Sequence, residues 1–159
     1  MKILALDLST RSSGWFITKS SCGIIKTDEK MSFEEKLVYF REQIVKLLDK
    51  HHPDQILIED SYYQPRRGSI HTLKALCKFA GVAIEACAAR KIPVEIITAT
   101  AARKYCCGKR EGKVTKEDVF KYFVEKYDLK DWTFSTHNDL TDAMCLLWGS
   151  RGKKRAEKK

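Results

Sequence analysis

Apolar positions fall into two kinds of run along this chain, short continuous stretches and longer stretches spaced by three and four. Residues 2–8 (Lys-Ile-Leu-Ala-Leu-Asp-Leu) form a short apolar run broken by Asp7, which predicts a buried strand ending in a carboxylate. A turn-like segment, 9–14, leads into 14–19, rich in β-formers, and a shorter run at 22–27 can pair back on it. Residues 55–59 (Gln-Ile-Leu-Ile-Glu) form a second apolar run that ends in a carboxylate, and 93–97 predict a fifth strand.

Helical spacing fills most of the remainder. Ser32-x-x-Glu35 is a capping box, followed by Phe33, Leu37, Phe40, Ile44, Leu47 and Leu48 through about Lys50, with Pro53 as the stop. A long helix is expected over 69–90, with Ile70, Leu73, Leu76, Cys77, Ala80, Ile84 and Cys87 on its core side. Ala80, Gly81 and Ala83 leave a flat patch on which another backbone could approach closely. Residues 98–114 read as a basic, glycine-containing segment, after which Thr115-x-x-Asp118 caps a helix carrying Val119, Phe120, Phe123, Val124 and Tyr127. A last helix is expected from about 136–138 to about Gly149. The order β-β-β-α-β-α-β-α-α, a meander followed by alternation, predicts an α/β fold with helices packed on a mixed sheet. No internal repeat is present.

Composition narrows the class. At 159 residues, 43% hydrophobic and 32% charged, the chain has the balance of a globular domain. It has no run of about 18 apolar residues that could span a membrane. The N-terminus reaches Asp7 too early for a signal-peptide apolar region, so a cytoplasmic protein is expected. None of the six cysteines forms a CxxC pair, and they are expected to behave as reduced core residues. The net charge is +9, and residues 151–159 hold six bases against one acid. The expected organisation is a domain over 1–150 and a basic, disordered tail over 151–159. This balance favours a polyanionic partner such as nucleic acid, although a short basic tail also serves solubility alone.

Four acids carry the candidate chemistry. Asp7 and Glu59 end apolar strands, where an ionised carboxylate is costly unless it is paired or metal-bound. Asp139 and Asp142 are spaced i, i+3 and share one face near the start of the last helix. Each alone has a plain structural reading, since acids in a first helical turn complement the helix dipole. Together, with the two strands adjacent at about 5 Å, they would form a cluster that repels itself unless divalent cations neutralise it. Mg²⁺ or Mn²⁺ suits such oxygen ligands, and two ions can assist an in-line phosphodiester displacement. Asp60 follows Glu59, but the apolar register favours Glu59 as the inward acid. His137 stands beside this group and reads as a helix-start residue.

The stretches Leu4-Ala5-Leu6-Asp7-Leu8-Ser9-Thr10-Arg11-Ser12-Ser13-Gly14-Trp15, Ile56-Leu57-Ile58-Glu59 and Asn138-Asp139-Leu140-Thr141-Asp142-Ala143 resemble the RuvC family of Holliday-junction resolvases, within the ribonuclease H-like superfamily. Arg67-Gly68-Ser69, Pro93-Val94, Arg103-Lys104 and Val114-Thr115-Lys116 fall in the family's order, so the resemblance covers about residues 1–149. The chain departs from it at Leu8-Ser9, where Pro-Gly is common, and its compact form looks like that of a phage-encoded member.

The resemblance implies a ribonuclease H-like five-stranded sheet with strands one and four adjacent and helices on both faces. It implies Asp7, Glu59, Asp139 and Asp142 as catalytic, metal-binding residues for two Mg²⁺ (or Mn²⁺) per active site. It also implies a homodimer, joined through the 69–90 helix, that makes paired nicks in opposing strands of a four-way DNA junction. Tyr62 stands where a junction-stacking aromatic is found in the family, and Tyr63 is an equal candidate. Arg66 and Arg67 join these as expected DNA contacts. Lys104 and Lys116 match positions near the scissile phosphate, their alternative being solvated surface lysines. Three other readings stay open. One is an RNA-processing nuclease of the same superfamily, and another is a non-catalytic branched-DNA binder. The third is a nucleotide phosphate loop at Asp7-x-Ser9-Thr10, for which the second nucleotide-binding domain is missing.

Overall fold

The computed structural model describes residues 1–60, 69–108 and 114–157. Five strands, β1 (Ile3–Asp7), β2 (Ser12–Thr18), β3 (Ser21–Lys26), β4 (Gln55–Glu59) and β5 (Val94–Ile97), form one sheet in the order β3-β2-β1-β4-β5. The meander β1-β2-β3 is antiparallel, while β1-β4 and β4-β5 are parallel. The expected mixed α/β sheet is what forms.

The pleat explains how one sheet serves two cores. Leu4, Leu6, Ile56 and Ile58 point to one face, against α1 (Phe33–His51) and α2 (Ile70–Ala88). Ile3, Ala5, Leu57 and Ile97 point to the other, against α3 (Ala99–Cys107), α4 (Lys116–Tyr127) and α5 (Phe134–Ala156). Asp7 shares the parity of Ile3 and Ala5, and Glu59 that of Leu57. Both acids therefore sit on the α5 side, and Asp60 falls on the opposite parity.

Both capping boxes form: Ser32 with Glu35 opens α1, and Thr115 with Asp118 opens α4. Three expectations need correction. Residues 99–107, read as part of a basic loop, are the helix α3, capped by the Thr98 side chain and ended at Gly108, whose φ is +80°. The last helix does not stop near Gly149; it runs to Ala156, so residues 151–156, expected in a disordered tail, are helical. A Cβ on Gly149 or Gly152 would fall 2.5 Å from the Ala102 backbone or 2.6 Å from that of Tyr105. These glycines let α3 cross α5 closely instead of breaking the helix.

The third correction concerns the face of α2. Its buried residues are Phe79, Ala83, Ala86 and Cys87, while Ile70 is 45% exposed and Cys77 is also exposed. Phe79 sets this orientation by packing at 4.9 Å on Phe40 and 6.0 Å on Phe33, ring to ring. Ala83 therefore belongs to the protomer's own core, and of the flat patch only Gly81 lies fully open. Of the six cysteines expected in the core, Cys87, Cys106 and Cys145 are buried, Cys22 and Cys107 are half-buried, and Cys77 is exposed on the outer side of α2. Among the described residues no helix is long and apolar enough to cross a membrane.

Candidate active site

The parallel pairing of β1 and β4 runs Ile3–Gln55 through Leu6–Ile58, so Asp7 and Glu59 come side by side one step further, at the ends of both strands. On the other side of Asp7 its partner in β2 is Gly14. A Cβ at Gly14 would lie 2.1 Å from the Asp139 carbonyl oxygen, so only glycine lets α5 rest there. This contact sets Asp139 above the strand neighbour of Asp7. One helical turn on, Asp142 is buried, at 3% exposure. The sequence-predicted Asp7, Glu59, Asp139 and Asp142 thus meet at one end of the sheet.

Their charges act on one another. Burial, then the charges of Glu59 and Asp142, push the Asp7 carboxyl well above its ordinary range, with Lys116 opposing and Asp139 adding to the rise. Glu59 is raised chiefly by burial and next by Asp142, against the pull of Lys116 and Arg103 and a hydrogen bond with Asp7. Lys116 Nζ lies 2.5 Å from Asp142 Oδ2, and an Arg103 guanidinium nitrogen lies 3.9 Å from Oδ1. Although burial opposes it, the charges of Asp142 and Asp7 raise the Lys116 ammonium above its usual range, so it stays protonated. Ser12 donates its hydroxyl to Asp139 Oδ2 at 2.6 Å.

Among the expected DNA contacts, Lys116 reaches the acids. Lys104 is exposed on α3, with its ammonium 5.6 Å from the Tyr105 ring centroid. Tyr62, Tyr63, Arg66 and Arg67 lie outside the described residues. His137 is a helix-start residue: its ring accepts the Thr133 amide and stacks on Trp132 with centroids 4.8 Å apart. Sequence reasoning missed two participants, Arg103 and Ser12. Arg103 follows from α3, which places position 103 on the helix face toward α5. Ser12 sits two residues before the Gly14 contact, on the strand under α5, and nothing in its local pattern marks it.

The donor set suits a hard divalent cation, with four carboxylates converging and their mutual repulsion relieved by internal cations. Yet among the described residues no three His, Cys, Asp or Glu side chains already stand in metal-ligand geometry. Asp139 is turned to Ser12 and Asp142 to Lys116.

A family model described as crossover junction endodeoxyribonuclease RuvC matches residues 9–147. The chain belongs to the RuvC family. A crossover junction endodeoxyribonuclease RuvC of Lawsonia intracellularis is 26% identical over 156 residues, covering 92% of this chain and 90% of that protein. The Granulibacter bethesdensis RuvC is 30% identical over 127 residues, 75% of this chain and 68% of that one. The fold agrees. Thermus thermophilus RuvC, solved in complex with a Holliday junction substrate, superposes with a TM-score of 0.80 at 15% identity, covering 99% of this chain and 96% of that one. The yeast mitochondrial Holliday junction resolvase matches with a TM-score of 0.66 at 13% identity over 96% of this chain and 80% of its own. The sheet and helices of this chain are thus those of the RuvC fold.

Proposed function

We propose that this RuvC-family protein resolves four-way DNA junctions by paired nicks in opposing strands, with Asp7, Glu59, Asp139 and Asp142 as its metal-dependent catalytic centre. The observation that carries this reading is the convergence of those four acids, with Lys116 and Arg103 against them, at the ends of two adjacent parallel strands. Two Mg²⁺ or Mn²⁺ ions held there would supply an activated water and stabilisation of the departing 3′ oxygen. The chain's own residues do the rest. Asp7 and Glu59 are fixed by the sheet, Asp139 and Asp142 by the close seat of α5 on Gly14, and Lys116 and Arg103 hold positive charge where an anionic phosphate must be received.

Residues 1–150 form the nuclease domain in this reading, and the basic segment 151–159 follows it. The +9 charge supports phosphate contacts by Arg66, Arg67, Lys104 and Lys116 along the junction arms, with Tyr62 and Tyr63 stacking on bases at the junction. A homodimer would place two such centres on opposing strands. The open side of α2, carrying Ile70, Cys77 and Gly81, supports that helix as the dimer seam. The protein would act in the cytoplasm, that of the host if it is phage-encoded.

The test is a substrate panel. With Mg²⁺ or Mn²⁺, the protein should cut a labelled four-way junction in preference to a three-way fork, plain duplex or structured RNA. Equal cutting of forks would make it a general branched-DNA nuclease, and cutting of RNA alone would overturn the proposal.

A further inference from the structure

In the arrangement seen here two of the four acids, Asp139 and Asp142, already have an internal partner. Asp139 accepts the Ser12 hydroxyl at 2.6 Å, and Asp142 holds Lys116 at 2.5 Å. This is why the acids converge and still present no ready-made ligand set among the described residues. An incoming cation must exchange with something.

The two cations at the site differ in freedom. The Arg103 side chain is 17% exposed and stands 3.9 Å from Asp142, whereas that of Lys116 is 48% exposed and makes the short contact. Lys116 is the first residue of α4 after the Thr115 cap, and the buried residues of that helix are Val119 and Phe123. Its flexible four-carbon stem can swing outward without disturbing either of them. Its ammonium also feels the charges of Asp7 and Glu59, so it stands where the acids converge.

We propose that Lys116 is the resident counter-ion of the acid cluster, and that a divalent cation is taken up by exchange with it at Asp142. The proposal rests on the metal-centre reading above. Its consequence is an order of events: the ion takes the carboxylate, and the displaced ammonium is left uncompensated, available to an anionic phosphate. Two divalent ions would balance four carboxylates, so both Lys116 and Arg103 would then serve the nucleic acid. Junction binding by the intact protein should accordingly tighten when metal is added.

Calorimetric titration of the full chain with Mn²⁺, without DNA, tests the exchange. Lys116→Gln should bind Mn²⁺ about threefold to tenfold more tightly than the unaltered protein. Lys121→Gln, which removes the same charge from an exposed position of α4, should match the unaltered protein. Equal or weaker binding by Lys116→Gln than by Lys121→Gln would overturn the exchange. Asp7→Asn separates the two readings: if it binds Mn²⁺ as well as the unaltered protein, the metal centre itself is wrong and the exchange falls with it. A second measurement does not depend on the folding of Lys116→Gln. In the unaltered protein, with lysines methylated so that their charge is kept, the Lys116 resonance should move to the position of a free lysine on Mg²⁺ saturation. A resonance unmoved by saturating Mg²⁺ would contradict the proposal.

Discussion

Gly14 sets how closely α5 approaches the strand that carries Asp7. It pairs with Asp7 in the sheet and lies so close under the Asp139 backbone that a Cβ would overlap its carbonyl oxygen. Gly14→Val should lift the start of α5, at a cost of about 1–3 kcal/mol in stability. It should reduce cleavage by more than that loss of folded protein explains, because two of the four acids ride on α5. Denaturant unfolding alongside single-turnover cleavage checks this. Full cleavage by a folded Gly14→Val variant would show that the spacing of α5 does not matter. The acids themselves were legible as residues, because each breaks an apolar or helical pattern. Ser12 and Arg103 were not, since a serine in a strand and an arginine in a basic run look like ordinary surface until the helices are docked.

At the scale of elements, the closest joint is that between α5 and the sheet edge and α3. Glu95 of β5 accepts from Lys154 at 2.8 Å, Ser150 at 3.1 Å and Gln55 at 2.8 Å, pinning the last turns of α5. Burial would raise the Glu95 carboxyl, but the hydrogen bonds from Lys154 and Ser150 outweigh it and hold the group below its ordinary range. A carboxylate depressed on folding contributes stability above its unfolded pKa, near 4.3, that is lost as pH falls through the lower folded value. Glu95→Gln should therefore cost about 1 kcal/mol at neutral pH, given that both partners are partly solvated. The difference should shrink in acid below about pH 4. Thermal melts across pH read it directly, and a pH-independent difference would contradict the clamp. Helix existence was read well where a cap and a 3.6-residue period coincide, as in α1 and α4. It failed where packing overrides local signals: Gly149 read as the stop of the last helix, and α3 was hidden by its basic residues. The α2 face was read correctly at Ala80, Ile84 and Cys87, which pack on the core. It was misjudged at Ile70 and Cys77, which are exposed, because Phe79, left out of the predicted stripe, sets how the helix is turned.

For the molecule as a whole, the neighbouring of β1 and β4 is what brings Asp7 and Glu59 side by side, and hydrophobic pattern alone does not fix strand order. It came from the resemblance, and the observed sheet has it. What the protomer leaves open is the outer side of α2. A Cβ at Gly81 meets nothing within 4 Å, so Gly81→Arg should leave the protomer folded. If α2 is the dimer seam, the same change should convert a dimer to a monomer in sedimentation and uncouple the paired nicks. A dimer unaffected by Gly81→Arg would place the seam elsewhere. The central claim is that Asp7, Glu59, Asp139 and Asp142 act as one metal-dependent centre on branched DNA. Its most direct test is cleavage and binding of one labelled four-way junction by the unaltered protein and by Asp7→Asn, with Mg²⁺ present. The unaltered protein should make symmetric paired nicks, and Asp7→Asn none despite undiminished binding. Wild-type cleavage by Asp7→Asn would contradict the central claim.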